Sequence, residues 1–133
     1  MSQTPANHQS TPAVPMRVML RAKLHRATLT GADLHYEGSC GIDQTLLDAC
    51  DILPGEQIEI YNVTNGARLS TYAIAEPPGS GRITLNGSAA RHAALGDLLI
   101  ICTYAPMDDA TARAFRPRIA LLDAGNRIAS MKE

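Results

Sequence analysis

A glycine followed by a serine is the strongest chemical signal in this sequence. Gly38 and Ser39 follow Tyr36-Glu37 and precede Cys40. Glycine lets the backbone reach strained dihedral angles and leaves its carbonyl carbon uncovered, so the next hydroxyl can attack that carbon in an N→O acyl shift. Such a pair is therefore chemically able to start self-cleavage, although Gly-Ser taken alone is a common loop dipeptide.

Three basic side chains are spaced so that they could bind a small dianion. Lys23 and His25 are two residues apart, and on a strand they would share one face. Arg68 follows the Asn65-Gly66 turn, and a guanidinium group can hold a carboxylate with two hydrogen bonds. These residues predict an acidic substrate. The alternative is that they only face solvent, with Lys23 and His25 at a strand edge and Arg68 at the end of a hairpin.

The three cysteines, Cys40, Cys50 and Cys102, form no close pair. An odd count without a Cys-x-x-Cys spacing is not typical of a disulfide framework or of a zinc site. We therefore expect buried thiols in a reducing cytoplasm, and no metal. The sequence also has no Gly-rich motif typical of a bound nucleotide cofactor.

The composition limits the class of protein. The chain has 133 residues and a formal net charge of −1, and 45% of its residues are hydrophobic, yet it has no Trp, one Phe and four Tyr. One domain of this length can bury a core without disulfides, and we expect that core to consist of Ile, Leu, Val and Ala. The near-neutral charge and the few aromatic residues argue against a nucleic-acid partner. The sequence contains no run of about 18 apolar residues, which is the length that a membrane-spanning helix needs.

The elements that position these residues begin after a polar leader. Residues 1–15 are rich in Ser, Thr, Gln and Pro, and we expect a disordered leader rather than a signal peptide. Residues 16–133 have the composition of a single domain. Hydrophobic and polar residues alternate from Val18 to Leu24, which predicts a half-buried strand that extends toward Gly31.

Short elements separated by turn signals follow along the chain. Residues 34–39 should be extended, and Asp43 should cap a short helix over Gln44–Cys50. The patterns predict further helices over 88–94, capped by Ser88, and over 108–115, and strands over 57–63, 69–75, 83–85, 98–104 and 119–122. Six or seven short strands with small helices and no βαβ alternation predict a small closed barrel.

Several groups of residues, taken in order, resemble the aspartate 1-decarboxylase family. They are Lys23-Leu24-His25-Arg26, Ala32-Asp33-Leu34-His35-Tyr36-Glu37-Gly38-Ser39-Cys40, Tyr61-Asn62-Val63-Thr64-Asn65-Gly66, Ser70-Thr71-Tyr72-Ala73-Ile74-Ala75, Leu85-Asn86-Gly87-Ser88-Ala89-Ala90, Gly96-Asp97-Leu98-Leu99-Ile100-Ile101 and Ala112-Arg113. The resemblance spans residues 19–128, nearly the whole chain after the leader. It implies a six-stranded double-psi β-barrel with short helices. It also implies a homotetramer with sites where neighbouring subunits meet.

The resemblance further implies an enzyme that makes its cofactor from its own chain. Cleavage would leave a β-chain of residues 1–38 and an α-chain of residues 39–133, with Ser39 converted to a pyruvoyl group. The keto carbon of that group would condense with the amine of L-aspartate, and the resulting imine (Schiff base) would accept electrons as CO2 leaves. The product would be β-alanine, which feeds pantothenate synthesis.

Further residues receive roles from the same resemblance. Tyr72 corresponds to the proton donor, and a phenol is protonated at neutral pH as a donor must be. Thr71 corresponds to a substrate-binding residue that also orients the Gly38 carbonyl during cleavage. The other residues implied in substrate binding are Arg68, Lys23, Asn86, Gly87, Ser88 and Ala89, and His25 is a further candidate. Ser88 stands where alanine is usual in the family.

Three other interpretations stay open at this point. Cys40 with His25, His35 or His92 could form a cysteine hydrolase, although their geometry does not follow from sequence spacing. A non-catalytic β-barrel module that binds a partner would need no cleavage. A pyruvoyl enzyme with the same residues could act on another small amino acid, such as glutamate.

Overall fold

Strands dominate residues 14–132, the part of the chain that this computed structural model describes. The nine strands are β1 (Met16–Thr28), β2 (Gly31–Asp33), β3 (Ser39–Asp43), β4 (Gln57–Asn62), β5 (Arg68–Glu76), β6 (Ile83–Asn86), β7 (Leu98–Asp108), β8 (Arg118–Leu122) and β9 (Ile128–Lys132). The helices are α1 (Gln44–Cys50), α2 (Asp109–Ala114) and a 3₁₀ helix over Gly87–His92. Apart from Val14 and Pro15, the leader expected over residues 1–15 lies outside the described residues.

The strands form one hydrogen-bonded series in the order β2-β6-β3-β5-β4-β7-β1-β8-β9. Strand β3 carries Ser39 and lies between β5, which runs parallel to it, and β6, which runs antiparallel. The prediction of a mainly β protein with short helices is confirmed. The count of six strands is not confirmed, because the described residues form nine, and closure into a double-psi barrel stays a prediction. None of the described helices is long and apolar enough to cross a membrane.

Strand β1 forms as its alternating sequence predicts. Ala22 and Leu24 are fully buried, while Lys23 and His25 project from the other face because side chains alternate along a strand. The strand pairs with β7 along its length and with β8 over residues 22–25. The predicted half-buried strand is therefore confirmed, and it begins at Met16.

Helix α1 also matches its prediction. The carboxylate of Asp43 accepts the N–H of Thr45 at 2.8 Å, which caps the first turn. Leu46, Leu47 and Cys50 are buried on one side of the helix, where they pack into the core. Because α1 follows β3 directly, this cap fixes the end of the strand that begins at Ser39.

The segment before Ser39 differs from its prediction. Residues 34–38 form a turn instead of an extended segment. The Asp33 carboxylate accepts the N–H of His35 at 2.9 Å, and the N–H of Tyr36 donates to the Asp33 carbonyl at 3.5 Å. A short Asp side chain favours such turns because it can bond the backbone two residues on. The turn leaves Gly38 exposed at the start of β3.

The helix predicted from Ser88 is a 3₁₀ helix with a different start. It begins at Gly87, with Asn86 at the N-cap position and no side-chain cap, and Ser88 is exposed. The Asn86 amide is already bonded elsewhere, as described below. Strand β9 is not predicted by the sequence pattern, since it is an edge strand of mostly exposed residues without alternation.

The core is aliphatic, as the composition predicts, but it contains no valine among the described residues. Its buried side chains are Leu, Ile, Ala and Cys. Val18 is 75% exposed because β1 pairs there only with β7, and Val63 is 49% exposed because it follows the end of β4. All three cysteines are buried and free, as expected.

Candidate active site

Ser39 is the first residue of β3, and its side chain is held inside the protein. The residue is 1% exposed. Its hydroxyl donates to the carbonyl of Glu37 at 3.1 Å and accepts a hydrogen bond of 3.1 Å from the side-chain amide of Asn86. The two bonds fix the orientation of this hydroxyl. Ser39 directly follows Gly38, which is exposed.

The backbone of Gly87 lies directly against Gly38. A Cβ atom on Gly87 would stand 2.7 Å from both the Cα and the N of Gly38 and 3.0 Å from the carbonyl oxygen of Tyr36. Gly87 also has a φ of 64°, in the left-handed region that favours glycine. Gly38 itself has no positive φ, so the left-handed residue at this contact is Gly87.

Tyr72 and Thr71 lie on β5, the strand next to Ser39. Cys40 pairs with Ala73, and continuing this parallel register by one residue brings Ser39 beside Tyr72. Side chains alternate along a strand, so Tyr72 and Thr71 project from opposite faces of β5. Tyr72 is 37% exposed, and Thr71 is half-buried.

The segment that begins at Asn86 lies on the other side of Ser39. Asn86 is 7% exposed and is the antiparallel partner of Ser39 in the β3–β6 register. Gly87 and Ala89 are buried, and Ser88 is exposed. The structure therefore brings Asn86, Gly87 and Tyr72 next to Gly38 and Ser39.

The predicted basic residues share one face of the sheet. Arg68 is opposite Tyr61 on β4, Tyr61 is opposite Ile100 on β7, and Ile100 is opposite His25 on β1. Lys23 projects from the same face two residues away. Three strand spacings separate Arg68 from His25, a distance of about 14 Å.

Within one chain, the strand order and the position along β5 keep Lys23 and Arg68 away from Ser39. Strands β5, β4 and β7 lie between β3 and β1, so Lys23 does not neighbour Ser39 through strand pairing. Arg68 precedes Tyr72 by four residues on β5, which corresponds to about 13 Å along a strand. The structure thus does not bring Lys23 and Arg68 to the Ser39 hydroxyl within one chain.

His25 lies on this face with its side chain partly buried. Burial lowers the pKa of His25 below its ordinary value, and the positive charges of Lys23, Arg26 and Lys132 lower the pKa further. The Nδ1 atom of His25 is buried without a hydrogen-bond partner among residues 14–132. The lowered pKa disfavours a charged imidazolium at His25.

The guanidinium group of Arg68 is held by an aromatic ring. Its Cζ atom stands 4.4 Å from the centre of the Tyr61 ring, which is a cation–π contact. The hydroxyl oxygens of Tyr61 and Tyr104 are 2.9 Å apart. The hydrogen bond with Tyr61, together with burial, raises the pKa of Tyr104, so Tyr104 keeps its proton. Sequence reasoning missed both tyrosines here, because their approach depends on strand register.

A cavity of about 500 Å³ opens beside Asn86. Its polar wall contains Glu76, which pairs with Arg82 at 3.1 Å and accepts the Thr84 hydroxyl at 3.0 Å. A Cβ atom on Gly41 would collide with both Glu76 and Thr84. Gly41 is the sequence signal for this close approach of Glu76 and Thr84, since glycine inside a buried strand indicates such a contact.

The structure gives no support to a cysteine nucleophile at Cys40. This thiol is fully buried, and burial together with the charge of Glu76 raises the pKa of Cys40 to about 12. A nucleophilic cysteine needs an accessible thiolate, which this environment disfavours. His35 and His92, proposed as its partners, are exposed. Within the described residues no three His, Cys, Asp or Glu side chains form a group that could hold a metal ion.

Comparison with known proteins shows which protein family the chain resembles. A family model described as aspartate decarboxylase matches residues 16–129. The chain is 66% identical to "Aspartate 1-decarboxylase" of Methylibium petroleiphilum, with 88% of this chain and 98% of the relative covered. It is 62% identical to the protein of that name from Ralstonia pickettii, over 88% of this chain and 98% of the relative. The protein of that name from Bordetella pertussis is 58% identical, over 88% of this chain and 96% of the relative.

With these relatives over nearly its whole length, the chain is an enzyme of the carboxy-lyase class. The match covers nearly all of the chain and nearly all of each relative. The chain belongs to the aspartate decarboxylase family, and the resemblance noted in its sequence is confirmed.

Proposed function

We propose that the chain cleaves itself between Gly38 and Ser39, converts Ser39 to a pyruvoyl group and decarboxylates L-aspartate to β-alanine and CO2. The β-alanine would serve pantothenate synthesis. The observation that carries this proposal is the Ser39 hydroxyl, which is buried and bonded to Glu37 and Asn86 beside the exposed Gly38. Membership of the aspartate decarboxylase family supports the substrate.

The cleavage begins as an internal rearrangement. The Ser39 oxygen attacks the carbonyl carbon of Gly38, and the C–N bond breaks as the nitrogen becomes a free amine and an ester forms. Loss of the α-proton of Ser39 then expels the Gly38 carboxylate from the β-carbon and leaves dehydroalanine. One water molecule replaces the nitrogen, which leaves as ammonia, and a pyruvoyl group remains. The whole sequence consumes one water and needs no oxidant or reductant.

The surroundings of Ser39 fit such a group. The Asn86 amide, which donates to the Ser39 oxygen, can donate in the same way to a keto oxygen. Gly87 has no side chain that would fill the adjacent space. When formed, the group supplies a ketone conjugated to an amide, which accepts the electrons released with CO2.

The remaining steps belong to residues near Ser39. Tyr72, at the neighbouring position on β5, would supply a proton to the former α-carbon. Thr71 would contact the substrate and orient the Gly38 carbonyl during cleavage. Backbone N–H groups of the segment that contains Ser88 and Ala89 would hold a carboxylate, as successive N–H groups of a turn can.

We also propose that a second copy of the chain completes the site in a homotetramer. Arg68 and Lys23 suit the two carboxylates of aspartate, but Arg68 is about 13 Å along β5 from the residue beside Ser39, and Lys23 is four strands away in the same chain. On a neighbouring subunit the same residues could reach that serine. The free, buried state of the three cysteines supports a reducing, cytoplasmic location.

Intact mass measured over time on the purified chain alone tests the processing. We expect fragments that correspond to residues 1–38 and to a pyruvoyl-bearing chain from position 39, whereas Ser39→Ala should stay intact. Complete cleavage of the purified chain would show that no maturation factor is required. A single uncleaved chain after prolonged incubation would contradict the proposal and favour a non-catalytic binding module.

Product analysis on the cleaved protein tests the substrate. We expect β-alanine from L-aspartate and no γ-aminobutyrate from L-glutamate, because the relatives carry the name aspartate 1-decarboxylase. Formation of γ-aminobutyrate at a comparable rate would instead show that the enzyme decarboxylates both aspartate and glutamate.

A further inference from the structure

The side chain of Asn62 connects the β4–β5 hairpin to the 3₁₀ helix beside the cleavage site. Asn62 is 3% exposed, and its amide makes four hydrogen bonds. The carbonyl oxygen accepts the N–H groups of Thr64 at 2.9 Å and Asn65 at 3.2 Å. The amide nitrogen donates to the carbonyl of His92 at 3.2 Å and to the Asp97 carboxylate at 2.9 Å.

A second asparagine strengthens the same connection. The Asn65 amide donates to the carbonyl of His92 at 3.1 Å, so this carbonyl accepts bonds from two side chains of the hairpin. The Asp97 carboxylate also accepts the N–H of Ala94 at 2.9 Å, which holds the chain just after the 3₁₀ helix. These bonds satisfy and fix the carboxyl end of the helix, where backbone carbonyls have no partner within the helix.

The other end of the same helix lies against the cleavage site. The helix spans Gly87–His92, and the backbone of Gly87 leaves no room for a Cβ atom against Gly38. A 3₁₀ helix of six residues is about 12 Å long, with a rise of about 2 Å per residue. A displacement at His92 would therefore be transmitted over this short distance to the contact between Gly87 and Gly38.

We infer that Asn62, assisted by Asn65, is a positioning residue for self-cleavage: it anchors the helix that holds Gly87 against Gly38. The inference rests on the proposed self-cleavage between Gly38 and Ser39. Asn62 touches neither the bond that breaks nor the Ser39 hydroxyl. Its effect passes through the helix, which keeps the Gly38 carbonyl in the geometry that the Ser39 oxygen attacks.

A matched pair of buried asparagines separates positioning from general stability. Asn62→Asp removes the donors to His92 and Asp97 and adds an oxygen that faces them. Asn126→Asp makes the same change at a residue that is 1% exposed and whose amide donates to the carbonyls of Thr28 at 2.9 Å and Gly81 at 2.8 Å. None of these partners belongs to the 3₁₀ helix, so Asn126→Asp controls for the loss of buried hydrogen bonds.

The experiment follows cleavage of freshly translated chain by intact mass, with the Tm of each uncleaved variant measured in parallel. We expect Asn62→Asp to slow cleavage about 10-fold or more, because the lost bonds are worth more than about 1.4 kcal/mol, while Asn126→Asp stays within about twofold at a comparable loss of Tm. Asn65→Ala, which changes an exposed residue, should slow cleavage by about threefold. If Asn62→Asp does not fold, the cleavage rate of Asn65→Ala shows whether the anchor of the 3₁₀ helix affects cleavage.

The outcomes are distinct. Normal cleavage of folded Asn62→Asp, or of Asn65→Ala where Asn62→Asp does not fold, would overturn the inference and leave the proposed function intact. Equal slowing by Asn126→Asp at equal Tm would also overturn it, because general destabilisation would then explain the effect. An unaltered chain that never cleaves would overturn the proposed function, and this inference with it.

Discussion

The side-chain amide of Asn86 donates a hydrogen bond of 3.1 Å to the hydroxyl of Ser39, and both residues are buried. The two residues are 47 positions apart in the chain and meet only because β3 and β6 pair antiparallel with Ser39 opposite Asn86. The amide N–H points toward the oxygen that would attack Gly38, and the Glu37 carbonyl accepts the proton of that oxygen.

Removal of the Asn86 donor should slow self-cleavage. Asn86→Asp keeps the shape of the side chain but replaces the N–H group with an acceptor. Since a buried group left without its hydrogen-bond partner costs about 1–3 kcal/mol, we expect cleavage to slow by about 5- to 150-fold. Intact mass over time measures the rate. A normal rate in Asn86→Asp would show that the hydroxyl is positioned by other groups.

A side chain at Gly87 should disturb the cleavage site directly. The Cβ atom of Gly87→Ala would stand 2.7 Å from Gly38 atoms, so the backbone must shift there. We expect cleavage to slow by about 10-fold or more, in addition to about 1 kcal/mol of strain from the positive φ. Gly55→Ala is the control, because Gly55 has a φ of 89° but open space around it. Equal cleavage in both variants would exclude a role for the contact.

Loss of the Tyr72 hydroxyl should separate cleavage from turnover. Tyr72→Phe keeps the ring on β5 but removes the proposed proton donor. We expect complete cleavage and a kcat that is lower by about 10²- to 10⁴-fold, the usual effect of a general acid. The same sample supplies its own control, since its mass spectrum reports cleavage and its β-alanine production reports turnover. Full turnover in cleaved Tyr72→Phe would assign proton donation to another group.

Substitution of Arg68 should weaken substrate binding. Arg68→Lys keeps the charge but loses the planar group that lies over the Tyr61 ring and could hold a carboxylate with two bonds. We expect KM for aspartate to rise about 10-fold with normal cleavage, since a charge-assisted bond contributes about 1.5–3 kcal/mol. Arg116→Lys, at an exposed residue between α2 and β8, is the control. An unchanged KM in Arg68→Lys would remove Arg68 from the substrate site.

Asp43 should contribute stability that is lost in acid. Burial alone would raise the pKa of Asp43, but hydrogen bonds from the N–H groups of Gly81, Gly79 and Thr45 outweigh burial and lower this pKa. A lowered pKa in the folded state means that the contribution is complete above the unfolded pKa of about 3.9 and disappears as the pH falls through the lower folded pKa.

Urea unfolding of Asp43→Asn at pH 7 and pH 3 measures this contribution. We expect the variant to lose about 1–2 kcal/mol at pH 7 and to show a smaller fall in the free energy of unfolding between the two values of pH. Asp48→Asn changes an exposed residue of α1, and its free energy of unfolding should fall between pH 7 and pH 3 as much as that of the unaltered protein. An unchanged pH dependence in Asp43→Asn would show that other carboxylates cause the acid loss.

The sequence by itself determined the local chemistry and the regular elements. Alternation predicts β1, a capping Asp43 predicts α1, and the Gly38–Ser39 pair marks the bond at which we propose cleavage, because each depends on residues that are close along the chain. The resemblance to a family also comes from short motifs in order. The edge strand β9 and the turn at residues 34–38 escape this kind of reasoning, since strand pairing and a side-chain bond decide them.

Only the tertiary structure decided which distant residues meet. Strand pairing places Asn86 on Ser39, close packing presses Gly87 against Gly38, and the amide of Asn62 reaches His92 from another hairpin. The strand order also separates Lys23 on β1 from Ser39 on β3, which spacing along the chain does not reveal. The physical reason is that hydrogen-bond register and packing act between strands that lie far apart in sequence, whereas propensity and periodicity act only within a few residues.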